Sequence, residues 1–577
     1  MATTRHDLNH APLNGAIQAT VHDLDKNNKP KTIDKSISAN HVPPLFRLPG
    51  ELLILIGEFY NEEMFRLLSI NASVSGRAVQ PYDFLALSQV CRRLRGVLIS
   101  AANLWTIIPS LPSTDRDLVL ELLQRAEPYS VAFFAVTKDP YEQLVPQIRA
   151  ALPQVHTMAV EFALDFDDVT PADFHPVVGI APQLQSLAIK QTAIPDTGEV
   201  EIPDILDGVD MPKLRSLEVM NLEFIPAQFP WSTALTKLTL TVSPDVGLTF
   251  TIPPIQDLPD VFDLLRELPQ LEDLELNGAI SSLGNNFSSL SDVKVELPYL
   301  RRIQVANHGR APLFLLKHVD MPSNAVIQLQ FKSLMFPGSI VQVVEAVNEK
   351  LNVSAPLFAL AIRPVDGGHS GVLVDGYAGV SSLQQMCSGD ILPQLQLQFP
   401  PFGREPWVPV FFSAISRLPL SEVGVLYMGD WSVKTLTEDS LVTLLHEMPR
   451  LHTLCWADPV TQHLPSVLLA NVNDLKSSDA LDVVVQRPPR LDSPLITPSI
   501  RTLIIHNASL GGDADAIQVF QNLRTALYLR YTQCMPIDTL LFHHCKNLSK
   551  EDRDHIRRQS SPMYPVRSVF ISSIKIR

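Results

Sequence analysis

Leu268-Pro269-Gln270-Leu271-Glu272-Asp273-Leu274-Glu275-Leu276 carries the pattern on which the fold turns. An apolar residue precedes a proline, a leucine stands two positions after it, another three further on, and an apolar residue closes the string: h-P-x-L-x-x-L-x-h. The string returns at residues 152–160, 181–189, 211–219, 297–305, 448–454 and 497–505. Weaker versions sit at 235–240, 322–329, 393–399, 536–542 and 565–571. Pro153, Pro182 and Pro212 follow one another at intervals of 29 and 30, as Pro269 and Pro298 do at 29. Recurrence at this length marks a solenoid, in which each unit packs only on its neighbours.

The unit can be read physically. Helical stretches precede several prolines, as at 260–268 and 438–448. Proline disfavours α geometry in the residue before it and so stops the helix. The Leu-x-h stretch that follows alternates as a short strand does. Stacked, such units predict an α/β fold with a parallel sheet on one face and helices on the other. The alternation turns Ala188, Lys190, Glu218, Met220, Glu275, Asn277, Gln304 and Ala306 away from the helices. Further along, Cys455, Ile504, His506, Leu541 and His543 continue that face. The later set is more apolar, and an apolar surface often marks a binding patch, so these five residues are the expected client-binding positions.

Working outward, the 577 residues exceed one compact core, which fits a repeat array. Prolines number 47 against 24 glycines, in keeping with many short elements each stopped at a fixed place. The net charge of -15 argues against a general nucleic-acid binder. Five scattered cysteines without a CxxC pair read as reduced thiols inside a cell, in cytoplasm or nucleus. Neither a secretory leader nor a membrane-spanning run is visible, so no membrane partner is expected.

Before the repeats the texture differs. Residues 1–43 are polar and read as a disordered tail. Leu48, Leu52, Ile56 and Phe59 share one face of a helix, and Phe84, Leu87, Cys91, Leu94 and Leu98 share one face of another. Residues 44–108 are then a small helical module, 109–150 a linker with the first solenoid elements, and 151–577 the solenoid proper.

Two resemblances attach to these residues. The copies resemble irregular leucine-rich repeats, most closely at 537–548, where Ile537-Asp538-Thr539-Leu540-Leu541-Phe542-His543-His544-Cys545-Lys546-Asn547-Leu548 follows L-x-x-L-x-L-x-x-C-x-x-L. The head resembles an F-box: Leu48-Pro49-Gly50-Glu51-Leu52-Leu53 is similar to its L-P-x-E-L-L opening. Leu87-Ser88-Gln89-Val90-Cys91-Arg92-Arg93-Leu94-Arg95 is similar to its L-s-x-V-C-r-x-W/F-r middle, and Asn103-Leu104-Trp105 to its closing x-L-W. Leu94 stands where an aromatic is usual. The resemblance implies a substrate-recognition subunit of an SCF-type ubiquitin ligase, docking a Skp-family adaptor and, through it, a cullin. It assigns Leu48, Pro49, Leu52, Ile56, Leu87, Val90, Cys91, Leu94 and Trp105 to the adaptor-binding helices, and a client protein to the solenoid. The alternative is a leucine-rich scaffold unconnected to a ligase, its helical head a cap.

Enzyme chemistry is not expected. No G-x-S-x-G, H-E-x-x-H or G-x-x-x-x-G-K-[ST] is present. Asp366-Gly367-Gly368-His369-Ser370-Gly371 is glycine-rich but lacks the lysine of a phosphate loop, and reads as a turn or inserted loop. Asp167-Asp168 reads as solvated loop charge. Cys534, His543, His544 and Cys545 form a poor metal set, because adjacent His544 and Cys545 are poor ligand geometry and Cys545 already fills the small buried position of the repeat pattern. Neither a metal nor another cofactor is expected.

Overall fold

The computed structural model describes residues 48–59, 89, 91–110, 116–137, 144–162, 179–191, 209–222, 232–242, 258–280, 293–333, 338–351, 356–365, 371–379, 385–386, 391–401, 407–429, 438–457, 464–469, 499–506, 514–532, 535–543, 545 and 568–572. The expected tail 1–43 lies outside them, as do Leu87 and Val90. The chain forms two compact units, Met1–Leu235 with Val242–Pro254, and Thr236–Thr241 with Ile255–Arg577.

The first unit opens on helices. Helix α1 covers 50–59 and α2 covers Arg92–Ser100, followed by the 3-10 turn Ala102–Trp105. Strand β1 (Ile107–Ser110) starts at once, so the sheet begins at the edge of the helical module. Then come α3 (Arg116–Ala126), β2 (Val131–Thr137), α4 (Leu144–Ala151) and β3 (Val155–Phe162). The short β4 (Gly179–Ile180) leads into β5 (Ser186–Gln191), and β6 (Val209–Asp210) into β7 (Ser216–Met220). Strands β1, β2, β3, β5 and β7 pair in that order, all parallel, while β4 and β6 pair separately.

The second unit contains β8 (Lys237–Thr241), α5 (Leu258–Arg266), β9 (Asp273–Asn277), β10 (Val295–Glu296), β11 (Arg302–His308), α6 (Ala311–His318), β12 (Val319–Asp320) and β13 (Val326–Ser333). Next are α7 (Gly338–Leu351), β14 (Ala359–Pro364), β15 (Val372–Tyr377), β16 (Leu395–Phe399), α8 (Trp407–Ile415) and β17 (Val425–Met428). The unit ends with α9 (Glu438–His446), β18 (Thr453–Ala457), α10 (Leu464–Leu469), β19 (Thr502–His506), α11 (Ala514–Thr532), β20 (Thr539–His543) and β21 (Ser568–Ser572). This is a mixed α/β architecture whose strands are mostly parallel, and no described pairing closes a barrel.

One stretch departs from the uniform parallel order. Strand β16 pairs parallel with β13, but β15 runs antiparallel to both β16 and β14, and β14 pairs parallel with β17. The chain therefore lays β14 down three places beyond β13, and β15 and β16 fill the two places between. Of the glycine-rich string at 366–371, read as a turn or inserted loop, only Gly371 is among the described residues. Gly371 has φ +116°, and a Cβ there would lie 1.9 Å from the Phe399 carbonyl oxygen, so glycine is required by the backbone.

The recurring proline does more than stop a helix. Leu184 N donates to Ala181 O (3.2 Å), Leu214 N to Met211 O (3.1 Å), Leu271 N to Leu268 O (3.2 Å), Leu300 N to Leu297 O (3.1 Å) and Leu451 N to Met448 O (3.1 Å). Each h-P-x-L is thus a β-turn with proline second, where its fixed φ is already correct. Helices do precede Pro269 and Pro449, as the sequence predicts, whereas the two-residue strands β4, β6, β10 and β12 stand before Pro182, Pro212, Pro298 and Pro322. A serine replaces the proline chemistry at 232–235: Leu235 N donates to Ser232 O (3.0 Å) and Ala234 N to Ser232 Oγ (3.3 Å).

The four apolar positions of the clear copies form the core wherever all four are described. Leu268, Leu271, Leu274 and Leu276 are buried, as are their counterparts Leu297, Leu300, Ile303 and Val305, and Met211, Leu214, Leu217 and Val219. The register stacks like on like, with Leu274 opposite Ile303 and Leu276 opposite Val305. Burying each such side chain contributes about 1.5–3 kcal/mol.

Candidate docking surfaces

Helix α1 carries two apolar stripes. Positions 50, 53 and 57 form one: Leu53 is buried, and the glycines let neighbouring elements approach. A Cβ on Gly57 would lie 2.9 Å from Leu104 Cδ2 and 3.4 Å from Leu98 Cδ2, and one on Gly50 3.9 Å from Val97 Cγ2. Polar contacts hold the same seam. Arg93 Nη2 donates to Leu48 O (3.0 Å), and Asn103 Nδ2 to Glu58 Oε1. Cys91 caps α2, its sulfur accepting from Leu94 N at 3.4 Å.

Leu52, Leu55 and Phe59 form the second stripe, spaced three and four along the helix, and they are 43 %, 55 % and 71 % exposed. A helix apolar on two faces needs cover on both. Among the expected adaptor residues, Pro49 and Leu52 are exposed and Leu48, Ile56 and Cys91 half-buried. Leu94 and Trp105 are a correction: both are buried. Trp105 Nε1 donates to Ile99 O (3.1 Å), and the Arg125 guanidinium lies 4.9 Å from its ring centroid. These two side chains bind the module to its own unit and offer nothing to a partner. Leu55, Phe59 and the exposed Ile99 went unassigned, although Leu55 and Phe59 follow Leu52 at helical spacing.

The sheet face opposite the helices is the second surface. In the first unit Ala188, Lys190, Glu218 and Met220 are half-exposed on it as the alternation predicts, and Lys190 Nζ meets Glu218 Oε1 at 2.9 Å. In the second, Glu275, Asn277 and Gln304 are also half-exposed, while Ala306 is buried. Arg302 grips Asp273 with two bonds, Nε to Oδ1 at 2.9 Å and Nη2 to Oδ2 at 2.8 Å, and this hydrogen bonding pushes its pKa up. Beyond it Gln328 and Gln330 of β13 face Gln396 and Gln398 of β16 in register.

The expected client positions fare differently. Tyr427, Cys455, Ile504 and Leu541 do share one row across β17, β18, β19 and β20. Yet Cys455 and Ile504 are buried, which removes them from any open surface, while His506, Leu541 and His543 are half-buried. The His506 and His543 rings stack with centroids 6.2 Å apart. On the adjoining strands the face is closed by the chain itself: Met386, from the β15–β16 connection, packs with Ala359, Ala361, Tyr377 and Val425, flanked by Ile391 and Tyr427. An apolar row on a sheet is more stable covered than wetted, so the hydrophobicity that suggested a binding patch marks core here.

Of the considered metal set, Cys534 and His544 lie outside the described residues, and Cys545 donates to Ile505 O at 3.4 Å. Among the described residues no group of three or more His, Cys, Asp or Glu is placed to hold a metal, and no helix is long and apolar enough to cross a membrane. No protein-family model matches the chain, and no curated protein sequence matches it.

Proposed function

We propose that the chain is the substrate receptor of an SCF-type ubiquitin ligase, with an F-box at its head and irregular leucine-rich repeats behind it. The observation that carries this reading is the uncovered stripe Leu52, Leu55 and Phe59 on a helix whose other stripe is already packed. A mere cap needs one apolar face toward the array and a polar face outward. This head keeps a second apolar face in solvent, which suits an obligate partner. Burying those three side chains contributes several kcal/mol toward association at about 25 cal/mol per Å² of apolar area. The recurring turn-and-strand units support the leucine-rich-repeat reading, since each buries the same four positions.

The receptor performs no bond chemistry. It holds a client near a ubiquitin-loaded subunit, and the gain is proximity and orientation. Coexpression with a Skp-family adaptor tests the reading. The full chain should co-purify with the adaptor in fixed ratio, and a chain lacking residues 44–108 should not. Equal recovery of both would favour a scaffold unconnected to a ligase.

A further inference from the structure

The glutamine block on β13 and β16 is the least expected surface of the second unit. Gln328 stands opposite Gln396 and Gln330 opposite Gln398, all four half-exposed on the face away from the helices. Glutamines in register on parallel strands can bond one another across the strands. These do not. Gln396 Nε2 donates instead to Asp375 Oδ1 at 2.9 Å, leaving its carbonyl uncommitted. The side-chain amides of Gln328, Gln330 and Gln398 bond no described residue. Each offers a donor pair and an acceptor on one rigid plane.

Their spacing selects a class of ligand. Residues two apart on a strand lie about 6.6 Å from each other, which is also the repeat at which an extended polypeptide presents its peptide groups to one side. Each glutamine amide can therefore donate to one backbone carbonyl and accept from one backbone N–H. Such recognition ignores side chains. The charged neighbours do not compete, because Arg302 is held by Asp273 and Arg363 by Asp375 at 2.8 Å.

Lys332 gives the block a direction. It follows Gln330 by two residues, at the irregularity where Asn307 pairs with Phe331 and His308 with Ser333; it is half-buried like Gln328 and Gln330 and has no carboxylate partner among the described residues. Burial already pushes its pKa down, which an incoming anion would reverse. We propose that this block, closed at one end by Lys332, holds the free C-terminal segment of an extended polypeptide. The peptide lies along β13, with its last carboxylate at the Lys332 ammonium and its final peptide groups on the glutamines. This deepens the receptor reading above, on which it rests, by naming which part of a client is held.

The test uses the full chain and two fluorescent probes, pools of uncharged random hexapeptides labelled at the N-terminus. One pool ends in a free acid and the other in a carboxamide. Anisotropy should show the acid pool binding about tenfold or more tighter, as one charge-assisted contact is worth about that factor. Lys332→Met should abolish the difference between the pools, and Gln330→Ala should weaken both about tenfold. Asn277→Ala, on the same face but outside the block, should change neither. Equal binding of the two pools to the unaltered chain, or no binding of either, overturns the proposal. So does a preference for acid that survives Lys332→Met. Adaptor binding measured on the same samples separates the two readings. If it persists while the peptides fail, only the C-terminal site falls.

Discussion

Asp375 is fully buried between buried Ala361 and half-exposed Gln396 in register, and Arg363 on the adjacent strand reaches it at 2.8 Å. Gln396 takes its other oxygen. The three side chains come from β14, β15 and β16, the strands that depart from the parallel order, and they tie the reversed strand to both neighbours. Arg363→Met should strip one partner from a buried carboxylate and lower stability by about 1–3 kcal/mol, read by urea unfolding. The half-exposed guanidinium keeps the loss below that of a fully dry pair. An unchanged midpoint would show that Gln396 and water suffice.

The stacked core predicts a sharp contrast between leucines. Leu274→Ala, opposite buried Ile303, should cost about 2–5 kcal/mol. Leu392→Ala, at a side chain 72 % exposed, should cost under about 0.5 kcal/mol. Similar losses at both would contradict the repeat register.

Much of this was legible beforehand because the string h-P-x-L-x-x-L-x-h encodes both a turn and an alternation. Leu184, Leu187 and Ile189 are buried while Ala188 and Lys190 face out, as period two requires. Strands β14, β15 and β17 escaped notice. Leu420-Ser421-Glu422-Val423 forms the same turn, Val423 N to Leu420 O at 3.0 Å, without the proline that flags it elsewhere. Strand β15 belongs to no repeat, so no period announces it. In the head, amphipathic spacing located the helix but did not say which of its side chains pack inside the module. Glycines at 50 and 57 carry no hydrophobic signal, yet they mark the face that packs. In the client row Cys455 and Ile504 are buried, and apolar alternation does not say whether another segment of chain covers such a row.

Gly57 discriminates crowding from helix propensity. Gly57→Ala gains up to about 1 kcal/mol of propensity and loses a similar amount against Leu104, so stability should hardly move. Gly57→Val adds bulk against the same buried leucine and should destabilise the head by about 1–3 kcal/mol. Proteolysis between α1 and α2 would report it. Equal resistance of both variants would mean the seam is looser than the distances imply.

Acid should weaken the first unit through His156. Burial lowers its pKa, with a hydrogen bond to the Val131 backbone opposing. The folded state then binds fewer protons than the unfolded one. The stability this group contributes is present above the unfolded value near 6.5 and is lost as pH falls through the lower folded value. His308 acts in the same sense in the second unit, lowered by burial and then by Lys332. Thermal midpoints between pH 7.5 and 5 should drop, and His156→Gln should flatten part of that slope. An identical slope in the variant would remove His156 from the account.

The central claim rests on the uncovered stripe of α1, and point substitutions test it without dismantling the head. Leu55 and Phe59 are mostly in solvent, so Leu55→Asp with Phe59→Asp should leave the circular dichroism spectrum and unfolding midpoint intact. In a paired adaptor, two buried carboxylates without partners should reduce affinity by at least about a hundredfold. Isothermal titration of a purified Skp-family adaptor into the full chain and the double variant is the direct measurement. The account predicts tight one-to-one binding to the first and none detectable to the second. Binding of equal strength to both, or to neither, would contradict it.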